Sequence, residues 1–360
     1  MTDGRQTYVW ATQPSVEFFS GPQQPTLSLP AAPVGLPATC EEAAHCVSTR
    51  RWMTRITPVD APMGGLRPGG STLPAHEKEK SMSHLQWKLL VKKRGSSTQG
   101  VPPGKEHLAW VANTVTLVSG ERDAVLVDTF LSDAHSRELA QWVADSGKNL
   151  TTIYVTHAHG DHFLGLGILL ERFPHARAVA APSVVEGIRS QIRPDFMKSF
   201  WEPRFPGQLP SRLVAPEPLE GDGFLLEGER MVAVPLGHTD TVDTTALHVP
   251  SLDLLIAGDS VYNDTHLYLA ECDAEDREEW LRALDVVEAL HPKSVVAGHG
   301  VLDPDSSPRH IEETRRYIKD FNNALRTTGT HLELYEKMLA LYPDRVNPGS
   351  LWGAAKAAKP

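Results

Sequence analysis

From Leu85 onward, apolar residues come in short dense runs separated by turn-forming residues. "LQWKLLV", "AWVANTVTLV" and "AVLVDTF" are rich in β-branched and aromatic residues, and "SGERD" punctuates them, so each reads as a strand. "TTIYVTH", "ARAVAAP", "RMVAVPLGH", "TALHV", "LDLLIAGD" and "SVVAGHG" continue the series. Between them the period changes. Ser132 caps a helix that runs through Trp142 and ends at Gly147. Residues 165–173 form a short second one. Asp273 caps a third, with Trp280, Leu281, Leu284, Val287 and Leu290 at helical spacing and Pro292 beyond its end. The last quarter is helical: Ile311, Thr314, Ile318, Phe321 and Leu325 step by threes and fours after Pro308. Thr330 and Glu333 make a capping box for a final helix. Strands interleaved with helices predict an α/β fold with extra C-terminal helices.

Residues 1–83 lack this periodicity. "GPQQPTLSLPAAPVGLPA" and "DAPMGGLRPGGSTLPAHEKEK" are rich in Pro, Gly and Ser, which predicts an irregular N-terminal extension before a domain spanning 84–360. The extension carries no ligand cluster. A chain starting at Met82 is expected to keep its metal content and any activity.

The chain has 360 residues, 41% of them hydrophobic, and a formal net charge of -10. That balance argues against a nucleic-acid or anionic-membrane surface, which needs clustered Lys and Arg. It leaves self-association into a homo-oligomer open. Three cysteines occur, Cys40, Cys46 and Cys272. Cys40 and Cys46 flank His45 at a spacing uncommon for zinc, so all three read as plain thiols. An odd, low count suits a reducing cytosol. "MTDGRQTYVW" lacks the basic start and apolar run of a secretory signal, and no apolar run approaches membrane-spanning length. A cytoplasmic protein is expected. His45, His76 and His310 receive no functional reading, and His291 reads as a helix C-terminal residue favoured by the dipole.

"YVTHAHGDHFLG", residues 154–165, is where chemistry enters. A strand ends at Val155, and His157, His159, Asp161 and His162 crowd the loop at its tip. Imidazole and carboxylate are the usual ligands of zinc and similar ions. Four such groups on a short loop cannot close on a single tetrahedral ion without strain. They can send His157 and His159 to one ion and Asp161 with His162 to a neighbour. Further candidates end other strands: His238 in "VAVPLGHTD", Asp259 in "LLIAGDS" and His299 in "SVVAGHG". A glycine precedes each and permits close backbone approach. Asp259 can bridge two cations, and two ions about 3.5–4 Å apart can share a nucleophilic hydroxide at neutral pH.

The set "THAHGDH", "GHTD", "AGDS" and "AGHG", with "VLVDT" upstream, resembles the metallo-β-lactamase superfamily of hydrolases over residues 85–305. The resemblance implies a four-layer αββα sandwich of two mixed sheets with the site at one edge. It implies two zinc ions: His157, His159 and His238 for the first, Asp161, His162 and His299 for the second, and Asp259 as the bridge. Asp128 matches the acid that supports the ligand loop without binding metal. True zinc β-lactamases carry Cys or Ser at the position of Asp259. An aspartate there resembles the lactonases, glyoxalase II-like thioesterases, phosphodiesterases and sulfatases instead.

The expected activity is dinuclear zinc-dependent hydrolysis of a small carbonyl compound, with hydroxide attacking a lactone or lactam. Acyl-thioester hydrolysis, small-molecule phosphodiester hydrolysis and a non-enzymatic metal-binding role are the alternatives. Asp161 and Asp259 are the expected catalytic carboxylates. Tyr262, close after Asp259, reads either as core packing or as a donor to a carbonyl oxygen. No G-x-S-x-G elbow competes as the source of a nucleophile. The segment 192–207, "IRPDFMKSFWEPRFPG", interleaves Phe196, Phe200, Trp201 and Phe205 with Arg193 and Arg204. It reads either as packing on the core or as a substrate wall, with Phe200 and Trp201 against an aromatic or acyl group. On that second reading Arg193 or Arg204 meets an anionic end.

Overall fold

In the computed structural model, which describes residues 84–98 and 100–359, the apolar runs pair into one curled mixed sheet. The expected irregular stretch 1–83, with Cys40, Cys46, His45 and His76, lies outside the described residues. One half of the sheet holds β1 (Gln86–Gly95), β2 (Trp110–Ser119), β3 (Asp123–Val127), β4 (Asn149–Val155), β5 (Arg177–Ala180) and β6 (Glu217–Pro218). The other holds β7 (Gly223–Leu226), β8 (Glu229–Gly237), β9 (Thr244–Val249), β10 (Leu254–Tyr262) and β11 (Ser294–Gly300). The order is β6-β5-β4-β3-β2-β11-β10-β9-β8-β7, with β1 antiparallel on β2. Strands β3 to β6 run parallel, as do β10 and β11.

The two expected sheets are thus halves of one. One end of β2 pairs with β3, and the other reaches β11 through His299↔Asn113 and Gly300↔Ala112. Side-chain alternation then builds the layers. In β3, Ala124 and Leu126 face one core while Val125 and Val127 face another. In β10, Leu255 and Ala257 part from Leu254 and Ile256 in the same way. The shared inner core joins Val125, Val127 and Tyr154 of the first half to Leu247, Leu254, Ile256 and Val296 of the second. Each half is therefore covered on both faces, which is why its strands read as near-continuous apolar runs.

The outer faces take the helices. On the first half lie α1 (Asp133–Ala144), α2 (Gly160–Phe163), α3 (Leu166–Arg172), α4 (Pro182–Gln191) and the turns α5 (Pro194–Phe196) and α6 (Glu202–Arg204), through Leu139, Phe163, Leu169, Ile188 and Trp201 among others. On the second lie α7 (Ala274–Ala289), α8 (Arg309–Thr327), α9 (His331–Leu341) and α10 (Pro348–Ala358), through Trp280, Ile318, Phe321, Leu334 and Leu351. The result is the four-layer αββα arrangement. Caps fall where the sequence sets them. Ser132 Oγ accepts from the His135 amide, and Asp273 and Thr330 close capping boxes with Asp276 and Glu333. Helix α10 is an addition, started by Asn347 and Pro348. Among the described residues no helix is long and apolar enough to cross a membrane.

Candidate metal centre

The tips of β3, β4, β10 and β11 meet at one edge, and Asp128, just past β3, organises it. Its backbone sits at φ 65, and its amide donates to Tyr154 O at 2.8 Å. The carboxylate accepts from the Thr156 amide at 2.9 Å and from Thr156 Oγ1, and it lies 3.0 Å from His162 Nδ1. His157 Nδ1 is likewise engaged, 3.0 Å from Thr156 Oγ1, and His299 Nδ1 lies 3.0 Å from Ala112 O. With Nδ1 occupied, each of these rings turns Nε2 inward, a common device for orienting metal-binding histidines.

Two groups of donor atoms result, each within 4.8 Å of one another: His157, His159, Asp240 and Asp259, and then Asp161, His162 and His299. Asp259 reaches into both. Its Oδ2 is 3.8 Å from His157 Nε2 and 2.9 Å from His299 Nε2, and its Oδ1 is 3.4 Å from His162 Nε2. Asp161 Oδ2 accepts from Arg94 Nη2 and Asn113 Nδ2, both at 2.7 Å. His159 presents Nδ1 to the group, 2.8 Å from Asp240 Oδ2, while its Nε2 faces Glu271 Oε1 at 3.3 Å.

The donor set fits cations. His157 Nε2, His162 Nε2, Asp240 Oδ2 and Asp259 Oδ1 are buried and have no hydrogen-bond partner. Orphaned buried polar atoms are costly, and four of them in two adjoining donor groups call for counter-ligands. Burial, reinforced by His162, pushes the His157 imidazole down to about 4, so it is a neutral electron-pair donor at pH 7. Burial alone would raise Asp161 and Asp259. Arg94 and the histidines outweigh it for Asp161, the histidines alone for Asp259, and both carboxyls stay well below the usual range. Burial also works against a charged His162, yet the surrounding aspartates raise it well above its ordinary value. The buried carboxylates demand positive charge, which divalent ions supply.

Above the donors lies a cleft of about 500 Å³. Phe196, Phe200, Trp201, Phe205 and Tyr268 line it, with Arg94 as the one Arg or Lys among its described lining residues. His159, Asp161, Asp240, Asp259 and His299 line it from the donor groups, and Tyr262 adds a phenol that donates to Asp259 Oδ2 at 3.4 Å.

A family model described as the metallo-beta-lactamase superfamily matches residues 108–299. The chain belongs to that superfamily. The metallo-beta-lactamase type 2 of Bacteroides fragilis is 26% identical over 221 residues, 60% of this chain and 79% of that one. An uncharacterized protein of Bacillus subtilis, YobT, is 40% identical over 63 residues, 18% of this chain and 27% of its own. Among solved structures, a metallo-beta-lactamase family protein from Thermus thermophilus aligns with a TM-score of 0.55 at 20% identity, covering 75% of this chain and 91% of that one. At such identity the structural likeness is one of fold. Members of the superfamily are metal-dependent hydrolases, and this chain carries their fold with two candidate metal-binding groups.

Of the seven ligand candidates named from sequence, the fold brings together His157, His159, Asp161, His162, Asp259 and His299. It does not bring His238. That ring turns away, with Nδ1 3.2 Å from Asp276 Oδ1 and Nε2 3.1 Å from Glu271 O, and Asp240 stands in the group instead. Phe200 and Trp201 line the cleft, whereas the two arginines expected beside them do not. Arg193 pairs with Asp195 at 2.8 Å in solvent, and Arg204 stacks over Phe200, its Cζ 3.9 Å from the ring centroid. Arg94, Asn113 and Glu271 were missed. Arg94 and Asn113 sit on strands that only the long-range β1–β2 register places beside the loop. His310 is clasped by Asp305 and Glu313, a purely structural pairing.

Proposed function

We propose that this metallo-β-lactamase superfamily member is a dinuclear zinc hydrolase that opens a small cyclic ester or amide, a lactone or lactam. The observation that carries the reading is a cluster of four unpartnered buried donor atoms, two of them on Asp240 and Asp259, which line an aromatic-walled cleft. His157, His159 and Asp259 would hold the first ion, and Asp161, His162 and His299 the second, with Asp259 shared. Two such ions supply an activated water at neutral pH and polarise the substrate carbonyl.

The chain's own residues do the rest. Arg94 and Asn113 fix Asp161, so its carboxylate cannot swing away during turnover. Burial, then the charge of Asp259, pushes the Tyr262 phenol well above its ordinary value. It therefore remains a protonated donor toward an oxygen that gains charge. Phe196, Phe200 and Trp201 exclude water and grip an apolar ring. Arg94 offers the nearest cation to the carboxylate that ring opening creates. A cleft with four carboxylates, Asp161, Asp240, Asp259 and Glu271, and one arginine is poorly suited to the polyanionic carriers of many acyl thioesters, and to nucleic acid. A cytoplasmic location is proposed with it, on the low cysteine content.

The test is a panel of small lactones, lactams, thioesters and phosphodiesters with zinc-replete protein in oxygen-18 water. Label is expected in the product carboxylate of a lactone or lactam, and chelation is expected to stop turnover. Turnover confined to phosphodiesters, or unaffected by chelation, overturns the assignment.

A further inference from the structure

We propose that Asp240, and not His238, supplies the remaining protein ligand of the first ion. The proposal rests on the dinuclear reading above.

Asp240 is fully buried. Its Oδ1 lies 3.1 Å from Thr239 Oγ1, and its Oδ2 meets only imidazole nitrogens. That oxygen points into the donor group, 2.8 Å from His159 Nδ1 and 3.7 Å from His157 Nε2. A buried carboxylate oxygen left this way is costly unless a cation meets it. His238 is the reverse case. Both ring nitrogens are engaged outside the group, and its amide donates to Glu279 Oε1 at 3.1 Å. Asp276 and Glu279 belong to α7, whose start the Asp273 capping box fixes and whose Trp280 Nε1 donates to Ser260 O of β10 at 2.9 Å. To enter the donor group, His238 would have to break its contacts to a fixed helix.

The turn between β8 and β9 is braced in the same sense. Thr239 Oγ1 donates to Thr244 Oγ1 at 2.9 Å, Thr244 Oγ1 donates to Gly237 O at 3.0 Å, and the Thr239 amide donates to Thr241 O at 3.0 Å. These bonds hold Thr239 and so aim Asp240 inward and His238 outward. Charge supports the arrangement too. Asp161, Asp240 and Asp259 offset three of the four positive charges on two divalent ions. With the Arg94 guanidinium on Asp161, the positive charge left suits an anionic reaction centre in a buried site. Replacing an imidazole by a carboxylate also makes the first group harder, so it accepts manganese(II) more readily than a three-histidine group does.

The experiment measures metal per chain in the full-length protein after zinc loading and dialysis, with circular dichroism to check the fold. Wild type is expected to retain two ions, Asp240→Ala one, and His238→Ala two. Asp240→Asn, which keeps the side-chain volume, carries the test if the alanine variant does not fold, and His238→Gln does the same for His238. Asp240→His is expected to restore the second zinc and lower the manganese preference relative to wild type. Two ions in folded Asp240→Ala and Asp240→Asn, with one in the His238 variants, overturn the proposal and leave the dinuclear reading standing. A wild type that saturates at one zinc overturns that reading. It also overturns this proposal if the zinc binds Asp240→Ala with unchanged affinity.

Discussion

Asp259→Ala is expected to take both ions from the protein and abolish turnover. Among the described residues no other side chain stands between the two donor groups as this one does, within 3.8 Å of His157, 3.4 Å of His162 and 2.9 Å of His299. Loss of a shared ligand weakens two positions at once, while loss of His299 or His159 weakens one. Metal-assisted hydrolysis draws several kcal/mol from the ions, so the rate should fall by roughly 10³-fold or more, about 4 kcal/mol. The fold should survive. Asp259 makes no backbone hydrogen bond through its side chain among those described, and β10 around it is held by Leu254, Leu255, Ile256 and Ala257 in two cores. Two ions per chain in folded Asp259→Ala would end the account of Asp259 as the bridge.

Much of this centre was legible because its cause is local. A strand that ends in a crowded polar loop must place that loop at a sheet edge, so His157, His159, Asp161 and His162 could be grouped on sight. Asp259 and His299 follow apolar runs that can only be buried strands, which sends them to the same edge as β4. The αββα layering also followed from runs too apolar to face water. What stayed hidden depends on contacts that no short window contains. His238 and Asp240 lie two residues apart in one turn. Which of them faces inward is decided by α7, whose Asp276 and Glu279 seize His238. Arg94 and Asn113 reach Asp161 only because β1 and β2 pair in one particular register. Arg193 and Arg204 looked like substrate contacts because they alternate with aromatics. In the fold that alternation turns the rings into the cleft, the Arg193 guanidinium into solvent and the Arg204 guanidinium onto the Phe200 ring. The continuity of the sheet through His299 and Asn113 likewise needs the partner of β11, which its own sequence does not name.

A substitution that removes no ligand should strike the centre nearly as hard. Gly298 lies in β11 directly behind the Asp259 carboxylate. A Cβ added there would fall far inside van der Waals contact of Asp259 Oδ1, 3.0 Å from Gly258 C and 3.1 Å from His162 Cε1. The Gly258 backbone is itself tied to β11 through Gly258↔Ala297, at an irregular step of the register. The strain therefore falls largely on Asp259 and His162, one from each candidate donor group. Gly298→Ala is expected to lose most bound zinc and at least about 10²-fold in turnover, with an overpacking cost of about 1–3 kcal/mol in stability. Stability loss alone would not distinguish this from ordinary core damage, so Gly147→Ala serves as the comparison. Gly147 has φ 67 and nothing within 4 Å of an added Cβ, so alanine there is strained by its backbone alone, in a turn remote from the donor groups. Both variants should melt earlier than wild type, yet only Gly298→Ala should lose metal. Equal zinc content in the two would mean that the space behind Asp259 does not set the position of the bridge.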